Sequence, residues 1–363
     1  MKSSTLAQLI PSRRNTDFVG TITLDHNLAS GFCESAAGRK SSVPENSAAP
    51  EGVRALSTPK LDSSPSPEVR HHIHDGILAW AWSDGRSIPA NRVHADGAAG
   101  ALHYACAVIE GVRVYGGRAF LARLHAERLR TSAARLGFDV PWSTDQIEAA
   151  LAQVIASNAM HDGYLRPIAW PDGGGLRLAS EHEAISLAVY GLSLPSALGA
   201  RARGRALLVS TWVRPGPPFA PDGVKGAAGY LVGGLALREA TSLGFDDALL
   251  LDSSHSVCEL TTANILVCID GVMVTPPPGP ALAGITRTAL LDWARKQGRP
   301  CVERRFGLEE LARASEVIAC GTALEIAPIT RIRTPDLDLT FPIGPMWFEL
   351  AEAYLQMTVA KDR

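Results

Sequence analysis

The chain changes character near residue 72, and that change limits what it can fold into. Upstream, Ser, Ala and Pro dominate, Ser63-Ser64-Pro65-Ser66-Pro67 nearly closes the stretch, and no hydrophobic period runs through it. A segment of this kind buries too little apolar surface to offset the entropy of ordering it. Residues 1–72 are therefore expected to form a disordered Ser/Ala/Pro-rich extension. Asp17, Asp25, Glu34, Glu45 and Glu51 make it too acidic for a transit peptide, and it lacks the continuous apolar core of a secretory signal. The expectation is a dispensable extension on a cytoplasmic protein, with organellar targeting by this segment left open.

From Ile77 onward, strand and helix signals alternate. Val112–Tyr115 and Ala119–Leu121 flank Gly116-Gly117, a hairpin with its turn residues. Leu124, Leu129, Ala133 and Leu136 recur at helical spacing and Gly137 stops the run, which predicts a helix over 123–136. A second helix is expected over 144–158, and strands over 164–170 and 184–191. Ser193 to Gly204 is short, polar and small, a candidate linker. Beyond it, strands are expected at 205–213, 247–251, 257–268 and 271–275, with Asp270-Gly271 as a hairpin turn, and helices at 229–243, 284–297 and 345–358. The order fits two mixed α+β or α/β domains meeting at a cleft: a small one over 73–195 and a larger one over 196–363.

The bulk numbers narrow the function. A net charge of −2 and a pI near 6.6 give no nucleic-acid footprint. No apolar run reaches the ~18 residues of a membrane span. Cys33, Cys106, Cys258, Cys268, Cys301 and Cys320 are scattered without a Cys-x-x-Cys pair, and read as buried reduced thiols with no disulfide framework or metal site. His71-His72-Ile73-His74 ends the polar extension without carboxylate or cysteine company and reads as a solvated segment. Gly173-Gly174-Gly175 lacks phosphate-loop spacing and reads as a loop. Asp252-Ser253-Ser254-His255 reads as a hydrogen-bonded turn. No Gly-x-Ser-x-Gly nucleophile motif occurs.

Two residues carry the chemistry. Lys225 sits in Lys225-Gly226-Ala227-Ala228-Gly229-Tyr230-Leu231, a small-residue loop leading into an apolar helix, and Glu259 sits in the strand-like Glu259-Leu260-Thr261-Thr262-Ala263-Asn264-Ile265. A lysine amine condenses with an aldehyde cofactor, and a carboxylate keeps a pyridine nitrogen protonated, making the ring a better electron sink. Small residues after the lysine let backbone approach a flat ring. Taken alone, Lys225 would be a solvated charge, Glu259 a strand-end acid and Tyr230 a core tyrosine. What raises them above that is a phosphate grip in the right order. Gly284-Ile285-Thr286 opens a helix whose amides can bind an anion, and Gly321-Thr322 follows the strand Val317-Ile318-Ala319-Cys320. Arg128, in His125-Ala126-Glu127-Arg128-Leu129, offers a bidentate clamp. The constellation suggests pyridoxal-phosphate chemistry, with Tyr230 within reach of the cofactor's phenolic oxygen.

From about residue 76 to the C-terminus the chain resembles the class IV, fold-type IV pyridoxal-phosphate aminotransferases (D-amino acid aminotransferase-like fold), most closely the branched-chain amino acid aminotransferases. The resemblance rests on Ala101-Leu102-His103-Tyr104, Glu110-Gly111-Val112-Arg113, the His-x-x-Arg-Leu of 125–129 and Tyr164-Leu165-Arg166-Pro167. It continues through the Lys225 and Glu259 segments, Ala281-Leu282-Ala283-Gly284-Ile285-Thr286-Arg287 and Gly321-Thr322-Ala323-Leu324-Glu325-Ile326. It implies pyridoxal 5'-phosphate as cofactor and Lys225 as the catalytic Schiff-base lysine. Glu259 would serve the pyridine nitrogen, Tyr230 the phenolic oxygen, and Arg128, Ile285, Thr286 and Thr322 the phosphate. Tyr164, with Thr322 and Ala323, would bind the substrate α-carboxylate, and Arg166 and Tyr104 the distal carboxylate of glutamate. It further implies a homodimer whose site borrows a loop from the second subunit, and ping-pong exchange between an L-amino acid, branched-chain or related aliphatic, and 2-oxoglutarate.

Departures cluster in the expected substrate pocket. Ile109 stands where the family has Phe, Ala105 where a Gly is common, Gly229 where Asn precedes the tyrosine, and Leu194-Pro195-Ser196-Ala197 where an aromatic-rich loop is usual. Such changes move substrate discrimination by about 1–3 kcal/mol per methylene of fit and leave the cofactor chemistry untouched. A class IV lyase, a D-amino acid transaminase or a pathway-specific transaminase for an unusual amino acid therefore stay open as alternatives, with a non-catalytic binding protein of the same fold the least favoured. Tyr164-Leu165-Arg166-Pro167 favours the L-amino acid branch.

Overall fold

A computed structural model describes residues 76–173, 176–178, 184–196, 203–217 and 220–359. The 1–72 extension with Cys33, the His71–His74 run, Gly174, Gly175 and the central part of the expected linker lie outside them. Strands come in two groups. The first is β1 (Ile77–Ser83), β2 (Arg86–Pro89), β3 (Val108–Ile109), β4 (Val112–Tyr115), β5 (Arg118–Ala119), β6 (Gly163–Pro171) and β7 (Ile185–Leu192). They form one antiparallel sheet in the order β2-β1-β7-β6-β4-β5, with β3 also on β6. The second group is β8 (Arg205–Val213), β9 (Asp247–Leu251), β10 (Val257–Leu260), β11 (Asn264–Ile269), β12 (Val272–Thr275), β13 (Cys301–Glu303), β14 (Glu316–Gly321), β15 (Glu325–Arg333) and β16 (Asp338–Thr340). Its order is β10-β9-β8-β15-β14-β11-β12-β13, with β16 on β15. The β9-β8-β15 run and the β12-β13 pair are parallel.

Helices α1 (Gly100–Tyr104), α2 (Ala122–Arg135) and α3 (Thr144–Ser157) belong with the first sheet; α4 (Gly229–Ser242), α5 (Ile285–Lys296), α6 (Leu308–Leu311) and α7 (Pro345–Val359) belong with the second. The periodicity that predicts α3 also buries it: Ile147, Ala150, Leu151, Val154 and Ile155 form one stripe against β1 and β7. Ser143 caps it and Gln146 reaches back to the Ser143 amide, a reciprocal capping box. In α2 the buried stripe is His125, Ala126, Leu129, Ser132 and Ala133. Leu124 is exposed, because it falls on the opposite face, so it is not the core position its spacing suggests. The Asp270-Gly271 turn has φ of 52° and 77°, the left-handed pair that suits a tight hairpin. Asp252 accepts from the Ser254 and Ser256 amides, so that segment is a turn as read.

Three further features differ from expectation. The apolar run 257–268 is not one strand. It breaks at Thr261–Ala263, where Leu260 N donates to Ala263 O at 2.7 Å, so β10 pairs with β9 and β11 with β14. Helix α1 was not legible, being a single short turn. Cys258 and Cys320 are buried, but Cys106, Cys268 and Cys301 are only half-buried, so three of the thiols are less enclosed than composition suggests. No helix among the described residues is long and apolar enough to cross a membrane.

Helix α1 ends at Ala105 with φ 55°, a left-handed conformation that costs a non-glycine residue about 1–2 kcal/mol. Ala105→Gly removes that cost and gives back part of it through a freer unfolded chain. The variant is expected to melt about 1–3 °C higher in a thermal scan. A lower melting temperature would show that residue 105 carries no strain.

Candidate active site

The loop bearing Lys225 is fixed from both sides. Ile109 N donates to Lys225 O at 3.0 Å, Ala227 N to Ala107 O at 2.8 Å, and Lys225 N to Ser132 Oγ at 3.1 Å. Residues 225–227 thus extend β3 as a short antiparallel bridge, and Gly226 keeps the approach open: a Cβ there would sit 3.3 Å from Val224 and 3.7 Å from Ala107 O. Helix α4 then leads away along Gly233, Ala236 and Ala240, its buried stripe. A Cβ on Gly233 would lie 3.1 Å from Thr261 O. The missing side chain is what lets α4 rest on the corner after β10, the strand that carries Glu259.

Lys225 and Glu259 line one cavity, with Arg128, Arg214, Tyr230, Asn264, Ile285, Thr286 and Thr322 among its walls. Lys225 Nζ donates to Tyr230 Oη at 2.5 Å. Glu259 is buried and held on both oxygens: Oε1 pairs with Arg214 Nε at 2.8 Å, and Oε2 accepts from Leu282 N at 3.0 Å and Asn264 Nδ2 at 3.3 Å. Burial pushes its carboxyl above the ordinary range, against the pull of Arg214 and Lys225. One arginine does not fully compensate this buried acid, so the site favours a further positive charge beside it.

At another wall, α5 starts at Gly284 with no side-chain cap, leaving its first-turn amides free to meet an anion. Thr286 is buried there. Arg128 Nη1 donates to Ala283 O at 2.9 Å, tying α2 to this helix start. Its Nε and Nη2 edge is taken by Glu110, at 2.5 and 2.9 Å. Arg128 therefore lines the cavity but does not present that edge as a bidentate clamp. Glu110 is also 2.7 Å from His125 Nδ1, completing a buried cluster beneath the cavity floor.

Of the residues singled out from sequence, Lys225, Tyr230, Glu259, Arg128, Ile285, Thr286 and Thr322 converge on this cavity. Tyr164 and Arg166 lie together on β6, Arg166 Nη2 donating to Tyr164 Oη at 3.2 Å. The Tyr164 hydroxyl occupies the place that a Cβ on Gly111 would take, so a larger residue there would have to displace the tyrosine. Neither β6 residue is a wall of the lysine cavity, nor is Ala323. Tyr104 faces elsewhere: its hydroxyl donates to Leu176 O at 2.7 Å, and it lines a separate apolar cavity with Cys106, Pro215 and Val224. Arg214 was missed. It follows β8 in a plain Val-Arg-Pro context, and nothing local tells it from a surface arginine. Glu110 was quoted in a motif without a role; its partners are fifteen and eighteen residues away in sequence.

The donor set suits a phosphorylated, aldehyde-bearing pyridine: an amine, an acid that favours a cation beside it, and an uncapped helix start with an arginine and two threonines. Comparison with known proteins agrees. Residues 107–332 match the family model described as amino-transferase class IV. A probable branched-chain-amino-acid aminotransferase of Rickettsia bellii (strain RML369-C) is 35% identical over 255 residues, 70% of this chain and 88% of the relative. The crystal structure of the branched-chain aminotransferase of the archaeon Thermoproteus uzoniensis with norvaline superimposes with a TM-score of 0.73 at 30% identity, over 77% of this chain and 94% of that one. A T.th. branched-chain amino acid aminotransferase complexed with N-(5'-phosphopyridoxyl)-L-glutamate gives a TM-score of 0.71 at 28% identity, over 77% and 94%. With the fold, the cavity and these matches in agreement, the chain belongs to the class IV aminotransferases, fold-type IV enzymes that transfer amino groups.

Proposed function

We propose that the protein exchanges nitrogen between a branched-chain or related aliphatic L-amino acid and 2-oxoglutarate, in ping-pong order, using pyridoxal 5'-phosphate. The observation that carries the reading is the shared cavity of Lys225 and Glu259 with an anion-binding helix start. Relatives named as branched-chain aminotransferases, one holding a phosphopyridoxyl-glutamate conjugate, support it. When bound, the cofactor supplies an aldehyde for amines and a ring that delocalises the electron pair left on Cα when the α-proton departs.

The chain's own residues do the rest. Lys225 Nζ is the amine that would hold the aldehyde carbon, and as a free amine it would carry the α-proton. Tyr230 Oη, hydrogen-bonded to that amine, orients it and meets the phenolic oxygen. Glu259 keeps a proton on the ring nitrogen, and the nitrogen's charge supplies the compensation that Arg214 alone does not. The α5 start, with Arg128, Ile285, Thr286 and Thr322, grips the phosphate. Tyr164, with the Thr322–Ala323 turn, binds the α-carboxylate, and Arg166, whose Nε is buried without a partner among the described residues, waits for the distal carboxylate. The reading includes a homodimer: α1 leaves Leu102 largely exposed and Tyr104 partly so, and a second copy covers that edge while receiving Tyr104 into its own site.

Offering amino acids one at a time to the cofactor-loaded protein tests this. Leucine, isoleucine, valine and glutamate are expected to bleach the aldehyde absorbance band within a single turnover, and 2-oxoglutarate to restore it. No response to any L-amino acid, or a response confined to D-amino acids, would refute the assignment.

A further inference from the structure

Arg113 is a fully buried arginine that the reading above leaves without a task. It stands on β4 of the first sheet at 2% exposure, yet its guanidinium binds backbone of the second. Nε donates to Thr322 O at 3.3 Å and Nη2 to Ala323 O at 2.7 Å, while Nη1 donates to Leu194 O at 2.5 Å and Pro195 O at 3.2 Å. Its carboxylate neighbour, Glu325, lies 3.8 Å away, so the main acceptors are carbonyl dipoles. The turn it grips joins β14 to β15 and closes on Glu325, which has φ 63°. That is an uncommon conformation for a non-glycine side chain, and the surroundings must hold it. They do: Tyr115 Oη and Ser196 Oγ each donate to Glu325 Oε1 at 2.7 Å.

Peptide geometry gives this grip a consequence. In a trans peptide the C=O and the following N–H point to opposite sides. Holding Thr322 O and Ala323 O toward Arg113 therefore turns the Ala323 and Leu324 N–H groups the other way. Among the described residues neither N–H has an acceptor. Thr322, at the start of the turn, lines the lysine cavity. We propose that Arg113 is a positioning residue: by anchoring two successive carbonyls from behind, it aims a pair of amides at the substrate's α-carboxylate, and by holding Leu194 and Pro195 it sets the adjoining loop in the same act. This rests on the transamination reading, and touches binding of both substrates, since both carry that carboxylate.

Arg113→Lys keeps the charge but loses the planar fork that spans several carbonyls. In the cofactor-loaded variant the absorbance band is expected to stay normal. KM for the amino acid and for the 2-oxo acid are both expected to rise at least about tenfold, the scale of a lost hydrogen bond to a charged group, with kcat falling much less, as for binding common to ground and transition states. A folded variant whose KM values both stay within about twofold of wild type overturns the proposal, as does a loss confined to kcat. A second measurement needs no variant. In the wild-type holoenzyme labelled with ¹⁵N-alanine and ¹⁵N-leucine, adding 4-methylpentanoate, a carboxylate shaped like leucine without its amine, is expected to shift the Ala323 and Leu324 amide protons downfield. Saturating carboxylate without those shifts also overturns it. Failure of wild-type protein to transaminate at all would instead strike the functional reading, so the two failures are told apart.

Discussion

Lys225→Ala is expected to cut the amino-transfer rate by at least about 10³-fold while leaving the fold intact. The two halves of that expectation come from different atoms of one residue. Its backbone ties the loop down through Ile109 N, Ser132 Oγ and the neighbouring Ala227–Ala107 bond, and alanine keeps all three. Its side chain makes one polar contact, with the Tyr230 hydroxyl, inside a partly open cavity. Removing it deletes no core packing and leaves Tyr230 able to find water. The variant should therefore melt close to wild type, while the half-reaction with leucine, followed by absorbance, loses the amine that moves the α-proton. A small primary amine added to the solution should restore a fraction of the rate, because the cavity then has room for it. Activity above about a tenth of wild type, beyond the ~10²-fold minimum expected of a positioned proton carrier, would mean that another group moves the proton.

How far the chain could be read in advance depended on the range of the interactions. Elements set by local periods were legible: the Gly116-Gly117 hairpin, the capped stripe of α3, and the left-handed Asp270-Gly271 turn all depend on residues a few positions apart. So were Lys225 and Glu259, because each lies in an unusual local setting and their order along the chain is itself a signal. What stayed hidden depended on approaches across the fold. Arg214 reaches Glu259 only because β8, β9 and β10 are neighbours. The break at Thr261–Ala263 is invisible in a continuous apolar and β-branched run, yet it turns the chain just after the strand that carries Glu259. Arg128 was expected among the cavity's walls, and it lines the cavity beside the start of α5. However, no local pattern could say that one edge of its guanidinium is already occupied by a glutamate from another element.

That glutamate predicts the largest stability effect. Glu110 is fully buried, and it accepts from Arg128 twice and lies against His125. Burial pushes its carboxyl up, but the Arg128 charge and then His125 pull harder, leaving it far below its ordinary 4.5. Glu110→Gln keeps the shape and removes the charge, so Arg128 is left in a largely buried place without its counter-ion. Breaking one partner out of a buried pair costs about 3–5 kcal/mol, which for a domain of this size lowers the melting temperature by roughly 6–15 °C at pH 7.5. The pH dependence has a defined sign. Burial depresses His125, against the pull of Glu110, so its contribution is full above about 6.5 and is lost on acidification. Glu110 is likewise depressed, so its contribution is full above about 4.5 and fades as pH falls toward its folded value. Wild-type stability should thus fall in two stages below pH 6.5, and the glutamine variant should show the first and lack the second. Melting scans of cofactor-free protein from pH 8 down to pH 2 follow the first stage and the onset of the second without reference to catalysis. A variant that melts within about 2 °C of wild type at pH 7.5, less than 1 kcal/mol at this size, would show that Arg128 finds its compensation elsewhere, and the cluster would then be no foundation for the cavity above it.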